Sequence, residues 1–479
     1  MPNNIIFGTI TVLASLFCYY MSWRKIKDGN NRASLGWIMI ASLLLKIFTS
    51  ADFFLHEWDE RYHALVAKNM MEHPFKPMLY KNPVMPYDYT MWTGNHIWLH
   101  KQPLPLWIIS ISFKIFGVNE IALRLPSIIA SILLIFLIFK IASSLFNKQI
   151  GYICALFISF DWSIISHATG VEATDHYDLF FVFFITLSIY CCVKYISNKK
   201  NIYHFAGAIS MGLAILCKWL PGMIVLPVYF LLLYDSRGYS FIQILKKIFS
   251  FIIVSVFVFL PWQLYIFNQF PLEAGWESSY NKRHLFEELE SHGNPLLYYF
   301  INMLRGFGEL VYIPVLWFIY NFFTHKINYK FAAILAWFIL PYLFFTVAKT
   351  KMPAYTMCAA PAVFLMIAYF IQNILIERPF NNKLKYLLIA SFFILPFIHT
   401  LEVVKPFENR DRSPAWIAQV KLINKIKKVK PLIVFNSPKD RNIETMFYAD
   451  CTSYSTIPPD STIKRLKAEG YDIYIIPNK

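Results

Sequence analysis

Long apolar runs with few charges between them take up most of this chain, and no other feature constrains its fold as much. Runs of spanning length lie near 5–22, 36–54, 122–143, 150–166, 178–196, 203–218, 219–234, 248–268, 296–322, 331–348, 354–376 and 386–402. A hydrocarbon core about 30 Å thick is crossed by about 20 apolar helical residues, and inside it every backbone polar group must be bonded within the protein. The expected fold is an all-α polytopic membrane protein with about 12 transmembrane helices over residues 1–402. Composition agrees: 15% of residues are charged and 57% hydrophobic, whereas soluble domains carry about 25% charged residues.

A net charge of +16 would raise the question of nucleic acid in a soluble chain. Here the basic residues fall in alternate short loops. If the runs alternate in direction, one side collects roughly seventeen Lys and Arg, among them Arg24, Lys25, Lys27, Lys199, Lys200, Lys246, Lys247, Lys326, Arg378 and Lys383. Its acids are Asp28, Asp235 and Glu377. That asymmetry marks these loops as cytoplasmic, with both termini on the extracytoplasmic side, where the acids of the outer loops put the active site, and with membrane lipids rather than nucleic acid as the partner. The assignment requires the run PLPLWIISISFKIF, 103–116, to be an interfacial helix, since a full crossing there would invert every later loop. The first apolar run lacks a basic leader and a small-residue cleavage site, and is expected to be retained. Six of the seven cysteines lie in apolar runs, so no disulfide framework or zinc pattern is expected.

Two segments on the outer side are too long for simple connectors: 55–121 and 269–295. After residue 402 the chain turns soluble in character. SPAWIAQVKLINKIKKV reads as a helix, PLIVF and YDIYIIP as strands, and 460–469 as a basic helix, so 403–479 is expected to be a small extracytoplasmic α/β domain. Lys425, Lys427, Lys428 and Lys430 suit either anionic lipid heads or a solvated helix face.

Three segments carry residues suited to chemistry. HEWDERYHALVAKNM, 56–70, places Asp59 and Glu60 where a spanning helix leaves the membrane, positions from which a carboxylate takes a proton or orients a hydroxyl; the same acids would also complement a helix dipole. His56, Asp59 or Glu60, and His63 are spaced to share one helix face, so a divalent metal is a second reading. HKQPLPLW, 100–107, holds Lys101 before a proline-stiffened run, suited to a lipid phosphate or to snorkelling. SHATGVEATDHYDLFFVFF, 166–184, puts Glu172, Asp175 and Asp178 at a helix end, where acids are costly unless used or paired.

The order of these segments, followed by FGVNEIALRLPS at 116–127, LCKWLPG at 216–222, RHLFEELESHGNPLLYY at 283–299 and AKTKMPAYTMCAAP at 348–361, resembles the GT-C integral-membrane glycosyltransferases. More narrowly it is similar to the branch containing protein O-mannosyltransferases and the aminoarabinose transferases that modify lipid A. The likeness covers roughly residues 36–365. It implies a loop carboxylate at Asp59 with Glu60 beside it, and a second acid at Asp178 with Asp175 as rival. It also implies a phosphate-contacting lysine at Lys101, a second-loop cation at Arg283 or its neighbour Lys282, and a further lysine at Lys218. Arg124, in the RLP turn, is expected to be structural. The local settings depart from the family's: HKQP surrounds Lys101, and Trp219 and Leu220 follow Lys218.

What the resemblance implies is an enzyme of the bacterial inner membrane that moves a sugar from a polyprenyl-phosphate donor, with inversion. The acceptor is a lipid A-type glycolipid or a protein Ser or Thr. The alternative is a transporter or flippase for lipid-linked sugars, which would share the apolar, basic-inside character; the acids gathered in outer loops favour surface chemistry.

Overall fold

The computed structural model describes residues 4–172, 175–324, 328–377, 382–425, 430–438 and 441–477. The chain opens with the hairpin α1 (Asn4–Lys27) and α2 (Asn31–Thr49). The first outer loop carries α3 (Asp59–Met70) and α4 (Pro103–Phe116). The next segments are α5 (Glu120–Leu145), α6 (Lys148–Phe160), α7 (Trp162–Thr169), α8 (Asp175–Asn198), α9 (Asn201–Lys218), α10 (Val225–Asp235) and α11 (Phe241–Gln269). The second outer loop forms α12 (Pro271–Phe286), and α13 (Tyr298–Phe307), α14 (Tyr312–Thr324), α15 (Tyr329–Val347), α16 (Ala360–Phe370) and α17 (Asn382–Val404) complete the helical body.

Among the described residues eight helices are long and apolar enough to cross a membrane, and ten if the bent pairs α6–α7 and α13–α14 each count as one span. The helices α9 and α10 occupy the other two of the twelve expected runs. Asparagine and aspartate set the starts: the side chains of Asn30, Asn119, Asn147 and Asp161 accept the backbone N–H of Ala33, Ala122, Ile150 and Ile164, groups a helix cannot satisfy itself. Between helices small residues set the distance. A Cβ on Gly212 of α9 would lie 2.6 Å from the Val258 Cβ of α11, so only glycine admits this approach.

The run 103–116 is a helix too short to span, as expected, with Pro103 at its first turn. One face packs Leu106, Ile109 and Phe113 against Leu65, Leu79 and Phe447, while Ile111, Ile115 and Phe116 point outward.

The C-terminal residues build α18 (Ala415–Ile423), β1 (Leu432–Phe435), α19 (Asn442–Tyr448), β2 (Thr452–Ser453), α20 (Asp460–Ala468) and β3 (Asp472–Ile475), a parallel sheet of order β2-β1-β3. The helix α19 and the strand β2 were not legible in the sequence. Lys427 and Lys428 lie outside the described residues, as do Lys326 and Arg378. This module shares a core with the first loop: Ile443, Met446 and Phe447 of α19 pack with Leu65, Ala67 and Met70 of α3. Polar ties reinforce the seam. Lys68 Nζ donates to the carbonyls of Met446 and Phe447 at 3.1 and 2.9 Å, and the Tyr448 hydroxyl donates to Glu120 at 2.7 Å.

Candidate active site

The first turn of α3 sorts two adjacent acids to opposite sides. Trp58, which precedes the helix, has φ of 65°, a conformation a bulky residue rarely adopts; it brings its indole and the Asp59 carboxylate to the wall of a cavity of about 770 Å³. Glu60, one residue on, points inward and is fully buried.

In the cavity, Asp59 Oδ2 lies 3.1 Å from Lys101 Nζ, which comes from the turn before α4. Burial lowers the Lys101 amine, but the Asp59 carboxylate outweighs it and holds the amine above its usual value, so the lysine stays charged at neutral pH. A second ion pair joins Lys218, the last residue of α9, to Asp178 of α8. The Lys218 ammonium sits over the Tyr355 ring, 4.6 Å from its centroid. Tyr355 is within electrostatic reach of Lys101, Asp178, Glu290 and Asp59 together, which places both ion pairs about one centre. The Asp59–Lys101 pair lines the cavity, while the Lys218–Asp178 pair lies outside its lining and meets it through Tyr355, an arrangement suited to a phosphate leaving group and an acceptor that loses a proton.

Glu60 does not join them. Arg124 Nε and Nη2 grip its two oxygens at 2.7 and 2.9 Å, and the same guanidinium donates to the carbonyls of Ser50, Asp52 and Phe54 at 2.8, 2.6 and 2.7 Å. Burial pushes Glu60 up, yet Arg124 and His56 outweigh it and hold the carboxyl well below its usual range. The expectation of Glu60 as a reacting acid is therefore corrected: a bidentate buried pair has no free lone pair directed at the cavity. Arg124 is structural, as expected.

The histidines of the metal pattern have other partners. The His56 ring nitrogens lie 2.9 Å from Asp52 and from Glu60, beside the Arg124 guanidinium, while the His63 ring packs on Tyr177 at 4.2 Å between centroids. Among the described residues no three His, Cys, Asp or Glu side chains converge to hold a metal ion. A helix-face spacing says nothing of where a short helix rotates its residues.

Arg283 and Lys282 sit on α12 outside the cavity lining; Arg283 is bonded to Glu287 at 2.8 Å and Lys282 is exposed. The lining cation from the later part of the chain is instead Arg305 of α13, stacked on Trp162 at 5.0 Å. Asp175 opens α8, but its side chain lies outside the described residues. Glu290, Arg305 and Tyr355 were missed. Glu290 and Tyr355 lie inside quoted motifs, yet a motif marks a segment and not which of its side chains meets the ion pairs.

Residues 100–265 match the family model described as dolichyl-phosphate-mannose-protein mannosyltransferase. A protein of unassigned function from Aquifex aeolicus is 26% identical over 69% of this chain and 62% of its own length. The undecaprenyl phosphate-alpha-4-amino-4-deoxy-L-arabinose arabinosyl transferase 2 of Proteus mirabilis is 23% identical over 79% of this chain and 69% of its own. The chain thus spans about two thirds of the length of the curated relatives it matches. Among solved structures, ArnT of Cupriavidus metallidurans bound to undecaprenyl phosphate has the same fold, with a TM-score of 0.62 at 14% identity over 91% of this chain and 90% of that one. The oligosaccharyltransferase AglB of Archaeoglobus fulgidus follows at 0.56 and 13%, over 88% and 64%. The Proteus relative and both solved structures are transferases, and none of these likenesses favours the transporter reading. In fold, in the matched segment and in its ordered motifs, this chain is similar to the GT-C integral-membrane glycosyltransferases, and within them to the protein mannosyltransferases and aminoarabinose transferases.

Proposed function

We propose that this protein transfers one sugar from a polyprenyl-phosphate donor to an acceptor at the extracytoplasmic face of a bacterial inner membrane, with both chain termini on that side. The observation that carries the reading is the Asp59–Lys101 pair in the cavity wall. The donor phosphate takes Lys101 as its partner and releases Asp59. The freed carboxylate then faces the acceptor hydroxyl and accepts its proton as the new bond forms at the anomeric carbon. The bond from that carbon to the phosphate oxygen breaks on the opposite side, and the polyprenyl phosphate leaves with its charge held by Lys101, with Lys218 reinforcing the field. Displacement from the opposite face inverts the anomeric centre. No step runs through a metal.

The acceptor is a lipid A-type glycolipid or a protein hydroxyl. A phosphate acceptor is already an anion and asks only placement of Asp59, whereas Ser or Thr asks for a base. Arg305, in the lining of the same cavity, favours an acceptor or donor with negative charge.

The test is mass spectrometry of lipid A and envelope glycoproteins from a deletion strain carrying wild type or Asp59→Asn. Loss of one sugar mass from one acceptor class, restored by wild type alone, supports the reading. Restoration by Asp59→Asn would remove Asp59 from the reaction, and unchanged pools in the deletion strain would sink the transferase.

A further inference from the structure

Two carboxylates in the cavity lining, Glu172 and Glu290, have no task in the mechanism above, and Glu290 is the one held by two donors. Glu290 lies in the turn that follows α12, and it lines the cavity together with Lys101, His100 and Trp92. Its Oε1 accepts from Trp92 Nε1 at 2.8 Å and from the Tyr280 hydroxyl at 2.9 Å. Its Oε2 has no protein partner among the described residues.

The backbone is held in place for this. Glu290 and Ser291 have φ of 53° and 61°, two consecutive non-glycine residues in the left-handed region, where each costs about 1–3 kcal/mol and persists only under outside constraint. The constraint is the segment 349–351. Leu289 N donates to Thr350 Oγ1 at 3.1 Å, Lys351 N to the His292 carbonyl at 2.9 Å, and Asn294 Nδ2 to the Lys351 carbonyl at 3.0 Å, while Gly293 and Thr350 pair as an antiparallel bridge. A strained turn pinned on both sides, ending in an acid whose one oxygen is anchored and whose other is open, presents a fixed acceptor to a ligand. Burial raises the carboxyl, but Tyr280, His100, Trp92 and Lys101 outweigh it and keep it ionised.

We propose that Glu290 contacts the transferred sugar, its Oε2 accepting a hydrogen bond from a hydroxyl or ammonium group on the ring. The proposal rests on the lipid-phosphate reading of Lys101. With the phosphate on Lys101, the ring attached to it lies in the part of the cavity that Glu290 shares with that lysine. Trp92, stacked parallel on His100 at 4.4 Å, adds an aromatic edge of the kind that lines sugar subsites and keeps Glu290 from swinging away. An acid anchored by two donors discriminates ligands by what they donate, because an analogue without the group forfeits a hydrogen bond to a fixed acceptor.

The experiment uses the full-length protein in lipid nanodiscs and measures affinity for three probes: undecaprenyl phosphate alone, undecaprenyl-phosphate mannose and undecaprenyl-phosphate 4-amino-4-deoxyarabinose. Wild type is expected to bind at least one sugar-bearing lipid at least tenfold tighter than the bare one. In Glu290→Gln that gain shrinks to under threefold while bare-lipid affinity stays within twofold, and Glu290→Asp recovers part of it. Glu287→Gln, outside the cavity, behaves as wild type. An equal loss for bare and sugar-bearing lipid in Glu290→Gln, or no loss for either, overturns the sugar contact, as does a wild type that gains nothing from any sugar. A wild type that fails to bind undecaprenyl phosphate at all overturns the donor reading instead.

Discussion

Asp59 Oδ2 and Lys101 Nζ, from two separate segments of the first outer loop, hold each other at 3.1 Å in the wall of the cavity. Each occupies the other's charge until a ligand separates them, so their substitutions are expected to act in opposite senses on the donor phosphate. In Asp59→Asn, transfer falls by at least about a hundredfold, the usual effect of losing a general base, and undecaprenyl phosphate binds as well or better because Lys101 is no longer engaged. Lys101→Ala weakens that lipid by about tenfold or more, about the worth of one charge-assisted bond. Binding and single-turnover assays on purified protein check both; weaker lipid binding in Asp59→Asn would contradict the exchange of partners.

Arg124→Ala is expected to lower stability by about 3–5 kcal/mol, because it leaves Glu60 buried and charged without its bidentate partner. The double variant Glu60→Leu with Arg124→Met restores much of the loss by replacing the pair with apolar volume. Thermal melts in detergent compare the two; a single variant as stable as wild type would show that the pair is dispensable.

Gly170→Ala tests the same region by crowding. Its φ is +73°, and a Cβ would sit 2.2 Å from Glu60 Oε1. The variant is expected to melt lower and to lose transfer through a displaced Glu60 and a shifted α3. An unchanged melt and rate would mean that the turn yields freely.

His56 gives a pH signature. Burial and the Arg124 charge lower its pKa, but the Glu60 charge and the hydrogen bonds that the ring donates to Asp52 and Glu60 raise it more, so the folded value lies above the ordinary 6.5. The stability this contributes is complete below about 6.5 and is lost as pH rises through the folded value. Glu60 works in the other direction: its depressed folded value gives stability present above its ordinary 4.5 and lost as pH falls through the folded value. Melting temperature followed across pH 5–9 is expected to decline on the alkaline side in wild type and to lose that slope in His56→Gln.

Phe447→Ala in α19 is expected to destabilise the first loop by about 3–5 kcal/mol, the range for emptying a buried aromatic site. Phe447 is buried in the core shared with α3. Limited proteolysis within 55–121 reads this directly, with faster cleavage than in wild type. Removing 410–479 would also take Arg410 and Arg412 from Asp52, so that deletion reports on the loop's fold as much as on any acceptor role.

The membrane architecture was legible in the residues themselves, because spanning a bilayer demands apolar length and the chain cannot meet that demand without displaying it. The short helix 103–116, the parallel strands of the C-terminal module and the pairing of Asp59 with Lys101 in one site were within reach for related reasons: proline at a first turn, β-branched runs and an ordered motif set. What separated Asp59 from Glu60 was the rotation of α3 set by Trp58, Arg124 and the carbonyls of 50–54, contacts between segments that no spacing encodes. The same holds for Arg283, which a motif register placed in the site and the turn of α12 left on its outer side, and for Glu290, whose open oxygen exists only because segment 349–351 pins its turn. Burial by composition is a property of each segment alone, whereas the direction of a polar side chain is decided by partners brought from elsewhere in the fold.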